Sequence, residues 1–145
     1  MREISERGLN IIKECEGLRL EAYVCPAGKL TIGYGHTYGV KEGDKITVEQ
    51  AEQFLKDDVK SACLRLEHLE DVESIRLNDN QFSALISFIY NLGIYKFQTS
   101  TMMKYLIIGD NNAAADEFDR WVFSKNKILP GLVKRRAMEK ELFLS

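Results

Sequence analysis

Long apolar runs are absent: no stretch approaches the roughly 18 residues that a membrane span requires. The opening residues, MREISERGLNIIKECEG, are too charged for a signal peptide and contain no apolar h-region. The chain is therefore expected to stay in the cytoplasm where it is made, without stable membrane insertion, and to need a separate route to any substrate outside. Cysteine is scarce. Cys15, Cys25 and Cys63 are odd in number and show no close pairing pattern, which excludes a disulfide framework and fits a reducing compartment. Cys63 lies in an apolar helical series and reads as a small buried hydrophobe. Two histidines, with no CxxC or HxxxH spacing, give no metal site, and no cofactor is expected. Proline occurs only twice against ten glycines, and neither an internal repeat nor a low-complexity tract is present.

What remains is an ordinary soluble composition: 145 residues, 45% hydrophobic and 29% charged. That is enough for one domain with a real core. The net charge of −2 hides an asymmetry, since the chain from Arg120 onward carries +5 and the part before it −7. The basic end holds Arg120, Lys125, Lys127, Lys134, Arg135, Arg136 and Lys140. It lacks interleaved aromatics and a binding motif, so no nucleic-acid role follows. A solvated helix face is the simpler reading.

Glu3 to Cys15 has the spacing of an amphipathic helix, ended by Gly17. Leu20 to Cys25 and Leu30 to Tyr34 read as two short strands around a turn at Pro26 and Gly28. The register is expected to set Cys25 opposite Thr31, through a five-residue loop or a bulge at Gly28. Val40 to Lys45 is a polar connector with room for a further short strand. Thr47 and Gln50 form a capping-box signature that opens a helix of some twenty residues, its charged face solvated. Asn78 and Gln81 repeat the signature before a segment that is apolar nearly all round, the buried central helix of a helical lobe. Tyr90 and Asn91 fall in its last turn, where a polar group reaches a cleft. Ser100 caps a short helix, and Asp110 caps another carrying Phe118, Trp121 and Val122. Leu129-Pro130-Gly131 opens the last. Trp121 is expected to pack in the core.

The segment Glu16 to Thr37, EGLRLEAYVCPAGKLTIGYGHT, concentrates the chemistry. Glu16 sits at a helix C-terminus, where the partial negative charge disfavours an ionised carboxylate and suits a proton donor. His36, in a glycine-rich bend, reads as a hydrogen-bonded strut. The glycines of TIGYGH permit close packing of backbone or ligand.

Glu16, Cys25 and Thr31, set in EGLRLxAYxxPAGxxTIGYGHT, resemble the active-site segment of the phage-type lysozymes, the muramidases of glycoside hydrolase family 24. YNLG at 90–93, FQTST at 97–101, Arg120-Trp121 and LPGLVKRRAMEKELF at 129–143 are similar to the family too. The resemblance implies an α+β, mostly helical, lysozyme-like fold in two lobes. Residues 1–46 would form a helix and β-hairpin lobe, 47–69 a long connecting helix, and 70–145 an all-helical lobe, all within one domain. It implies an enzyme that cleaves the β-1,4 bond between N-acetylmuramic acid and N-acetylglucosamine in peptidoglycan glycan strands. Such an enzyme acts as a monomer in host lysis, after a phage holin or lysis releases it from the host bacterial cytoplasm. Glu16 matches the catalytic acid, Thr31 the residue that helps place water, and His36 a structural histidine. Tyr90, Asn91 and Ser100 match the saccharide-contacting wall. Position 25 is most familiar as aspartate; Cys25 departs from that. It can act as a thiolate, as a nucleophile, or as a holder of water beside Thr31. Two other functions stay open at this point: a cysteine amidase using Cys25 with His36, and a peptidoglycan-binding protein without catalysis.

Overall fold

The computed structural model describes every residue from Met1 to Ser145. Ser5, whose hydroxyl accepts from the Gly8 N–H, caps helix α1, Glu6–Glu16. The helix therefore starts three residues later than its periodicity suggests, at the residue able to cap it. At the other end the Gly17 N–H turns back to the Lys13 carbonyl, with φ at 74°. Glu16 is thus the last helical residue, as the sequence indicates.

Strands β1 (Arg19–Val24) and β2 (Leu30–Gly33) pair antiparallel, with Tyr23 opposite Thr31 and Val24 opposite Leu30. The expected register is corrected here. Cys25 closes on Lys29, its N–H donating to the Lys29 carbonyl at 2.9 Å, while Gly28 N–H bonds back to Cys25 O at 2.8 Å. The loop is a three-residue turn with Gly28 at φ 83°, the tight hairpin in which a left-handed glycine supplies the bulge. Cys25 consequently sits diagonal to Thr31 on a shared face rather than directly across from it. The anticipated third strand shrinks to a single bridge between Lys45 and Glu21. The Ala22 and Ile46 amides, donating to Asp44 and Leu20 carbonyls, cover the free edge of β1.

Both capping boxes form as read. Thr47 with Gln50 opens α2, Val48–Glu73, and Asn78 with Gln81 opens α3, Asp79–Leu92. Helix α2 runs four residues past Leu69 and ends at Ser74 in the left-handed region. At 1.5 Å per residue it is about 39 Å long, and it buries Leu55, Val59, Cys63 and Leu66 along one stripe. Burial pushes the Cys63 thiol up to about 11. Helix α3 buries every residue from Phe82 to Ile89 and is the axis of the second lobe. Phe88 meets the edges of Phe97, Phe118 and Trp121 at centroid distances of 6.3, 5.4 and 5.7 Å.

Short helices α4 (Ile94–Gln98), α5 (Thr101–Ile107) and α6 (Asn111–Asp116) follow, then a 3₁₀ turn over Glu117–Arg120. Trp121 and Val122 lie beyond these helical residues, not within the Asp110-capped helix. The second lobe is not purely helical: β3 (Phe123–Ser124) and β4 (Lys127–Ile128) form a small hairpin. Its two turn residues, Lys125 and Asn126, have φ of 51° and 64°, the mirror-image turn that matches strand twist. Pro130 at the first helical position then starts α7, Pro130–Leu144, which packs against both α3 and α1. No helix is long and apolar enough to cross a membrane.

Candidate active site

The end of α1 delivers Glu16 to a cavity of about 290 Å³ between the lobes, lined also by Gly35, Thr37, Tyr38, Asp58, Tyr90 and Asn91. Three contacts fix its walls. The bend after β2 is closed by paired backbone bonds between Ile32 and His36, both 2.9 Å. The His36 ring is clamped to α2: its Nδ1 is 2.8 Å from Asp58 Oδ2 and it stacks on Phe54 at 4.3 Å. The opposite wall is tied to the same bend by Tyr90, whose hydroxyl donates to the Tyr34 carbonyl at 2.9 Å. Burial, then the nearby Asp58 and Glu16 carboxylates, push the Tyr90 phenol well above its ordinary value, so it stays a neutral donor.

Gly35 is the point of closest approach. Its φ is +86°, and a Cβ there would lie 3.1 Å from Glu16 Oε1 and 3.6 Å from the Tyr90 hydroxyl. Only glycine combines that backbone with that gap. Gly35→Ala is expected to lower kcat by about tenfold or more through displacement of Glu16, and to destabilise the fold by about 1–2 kcal/mol. Steady-state kinetics beside thermal unfolding will separate the two effects. A variant with wild-type kcat would show that the gap is unimportant.

Glu16 is held from the far end of the sequence. Arg135 Nη1 donates to Glu16 Oε2 at 2.6 Å; the arginine side chain is 4% exposed and the glutamate 24%. Behind it, Arg135 Nε meets Glu139 Oε2 at 3.3 Å, and Nη2 donates to the Ser87 carbonyl at 3.0 Å. Arg136 donates from Nη1 to Glu139 Oε1 at 2.7 Å and from Nη2 to Asn91 Oδ1. The basic helix is therefore not a solvated face at these positions: Arg135, Arg136 and Glu139 are all buried. The reason is mutual pairing, which offsets the desolvation that would otherwise exclude them.

On the hairpin, Thr31 is buried and donates to the Lys29 carbonyl at 3.1 Å. The Lys29 backbone, then the Thr31 side chain, hold the Cys25 thiol below its ordinary value. The register differs from expectation, yet the two side chains still meet. Cys25 and Thr31 lie outside the residues lining the cavity around Glu16. Ser100 is not brought to this cavity either: its hydroxyl is buried, donates to the Phe97 carbonyl and caps the Met103 amide. The His36 ring engages Asp58 and Phe54, not Cys25, which removes the dyad an amidase would need. Asp58, Tyr38, Arg135 and Glu139 were not singled out as site residues from sequence. For the last two a signal existed, since Glu139 follows Arg135 and Arg136 at the four- and three-residue spacing of helical ion pairs.

The family model described as phage lysozyme matches residues 13–139. An endolysin of Acyrthosiphon pisum secondary endosymbiont phage 1 is 47% identical over 98% of both chains. An endolysin of Bacillus phage PZA is 44% identical over 99% of this chain, which spans 55% of that protein's length. Among solved structures, the muramidase domain of SpmX from Asticaccaulis excentricus superposes with a TM-score of 0.89 at 36% identity, covering 100% of this chain and 99% of that one.

Proposed function

Because the chain belongs to the phage lysozyme family, we propose that its cleft cleaves the β-1,4 bond between N-acetylmuramic acid and N-acetylglucosamine, with Glu16 as the general acid. The protein is a peptidoglycan hydrolase of the glycosidase class. The observation that carries the residue assignment is Glu16 itself: a carboxyl group at a helix end, fixed by Arg135, facing an open polar cleft. In the reaction Glu16 gives its proton to the bridging oxygen as the bond to the muramic-acid anomeric carbon breaks. Water forms the new bond to that carbon and gives its proton to the Cys25 thiolate, and exchange with solvent restores the proton on Glu16. Thr31 and Cys25, joined on one hairpin face, hold that water, and the Cys25 thiolate offers negative charge to the oxocarbenium-like transition state. Tyr90 and Asn91 form the saccharide wall, with Tyr38 beside them, and His36 holds the bend. Ser100 supports that wall as a helix cap.

The reading as a binding protein without catalysis is not favoured beside relatives named endolysin and muramidase. The protein works as a monomer on glycan strands after lytic release from the host cytoplasm. Digestion of purified cell walls tests the assignment. New reducing muramic-acid ends are expected; new free amino groups in their place would refute it.

Cys25 has its own test. Cys25→Ser is expected to lower the rate by about ten- to a hundredfold, and Cys25→Asp to keep it high. The sign with pH follows from the thiol. A lowered pKa means that the thiolate, and the rate with it, rises at lower pH than for a free cysteine. The aspartate variant, ionised throughout the neutral range, loses that rise. A serine variant at full rate would eliminate both the thiolate and the nucleophile roles.

A further inference from the structure

Glu139 has no task in the reaction as described, yet it is 0% exposed. A fully buried carboxylate is strongly unfavourable unless paired on every side. Here it is paired with Arg135, Arg136 and the Ser87 hydroxyl, which donates to Oε2 at 2.6 Å. We propose that Glu139 is a positioning residue for the hydrolysis, gripping Arg135 against Glu16 and, through Arg136, holding Asn91 in the wall of the cleft. This rests on the reading of Glu16 as the general acid.

The geometry carries the first half. Glu16, Glu139 and the Ser87 carbonyl occupy three different nitrogens of the Arg135 fork. The planar guanidinium cannot turn without breaking one of them. Through Arg136, the same carboxylate also fixes Asn91. Glu139 is thus the common anchor for two residues of the cleft, Glu16 at the end of α1 and Asn91 at the end of α3.

Charge carries the second half. A buried guanidinium is costly unless carboxylates surround it, and Arg135 has one on either side, Glu16 and Glu139. Glu16 also faces Asp58 with His36 from α2 and the bend, Tyr90 from α3, and Cys15 on its own helix. Glu139 faces Ser87 on α3, Cys15 on α1 and the two arginines on its own helix. At the adjoining 3₁₀ turn, Glu117 is taken by Arg120, and Lys140 by Asp116 and Asp119. Two arginines therefore stand against two carboxylates. Removing Glu139 leaves both arginines without the carboxylate they share.

The experiment compares Glu139→Gln with wild type. With the fold intact by thermal unfolding, kcat is expected to fall by about tenfold or more as Glu16 loses its aim, and KM to rise as Asn91 loses its hold, with the same cleavage products. A folded variant with wild-type kcat and KM would overturn the proposal. If the variant does not fold, carboxyl-carbon NMR of glutamate-labelled wild type decides the matter. At the pH of maximal activity the Glu139 resonance should be that of an ionised group; a protonated Glu139 there also overturns it. Glu16→Gln keeps the two readings apart. An active Glu16→Gln removes the acid assignment, whereas an inactive one beside a Glu139→Gln variant with wild-type kinetics removes only the role of Glu139.

Discussion

Glu16→Gln is expected to lose about 10²–10⁴-fold in kcat, the contribution of a well-placed general acid. The substitution is close to isosteric, and an amide oxygen still accepts from Arg135. The carboxylate is partly exposed and sits at the end of its helix rather than in the core, so packing is unaffected. Melting temperature should therefore stay near wild type while turnover collapses. KM should change little, because the amide still lines the same cavity. That split identifies a group whose proton, not its contacts, is used. Turnover within a few-fold of wild type would eliminate Glu16 as the acid.

Arg135→Met carries the largest expected loss of stability. It removes one partner from a buried ionic network and leaves Glu139 dependent on Arg136 and Ser87. Breaking such a pair costs about 3–5 kcal/mol, which for a chain of this size is a fall in Tm of about 10 °C or more. The deficit also has a sign with pH. Burial already pushes the Glu139 carboxyl up, opposed by Arg136 and Arg135. Without Arg135 it rises further. A carboxyl raised in the folded state favours folding while protonated and opposes it once ionised. The gap between variant and wild type should therefore be small below about pH 4, near the unfolded carboxylate value, and widen as pH rises. Urea unfolding at several pH values measures it; a gap independent of pH would mean that Glu139 is not the group left exposed to the loss. Activity should fall as well, since Glu16 loses its anchor.

Local chemistry made much of this fold legible in advance. The capping boxes at Thr47 and Asn78 are written within four residues of chain, and both close as read. Gly17 after Glu16, and Pro130 at the start of α7, mark helix ends for equally local reasons. The hairpin at Phe123–Ile128 escaped notice because its turn uses Lys125 and Asn126, with no glycine to signal positive φ. The Cys25 register was misjudged because one left-handed residue, Gly28, changes the loop length, and spacing alone does not fix that. The site was half visible. Glu16, Tyr90 and Asn91 reach one cavity as expected, while Ser100 spends its hydroxyl on a helix end. Arg135 and Arg136 were assigned to solvent because charge on a helix ordinarily means exposure, and Glu139 beside them was not singled out. Their partners on α1 and α3 come from 45 to 119 residues away, and no window of sequence contains both ends of such a pair.

That last separation governs when the enzyme comes into being. Glu16 leaves the ribosome early, but the guanidinium that fixes it follows 119 residues later. The helix bearing that guanidinium can dock only once α1 and α3 are both present to receive it. A nascent chain, or a fragment cut before Pro130, carries Glu16 without the guanidinium that fixes it. Competence thus waits on the arrival of α7.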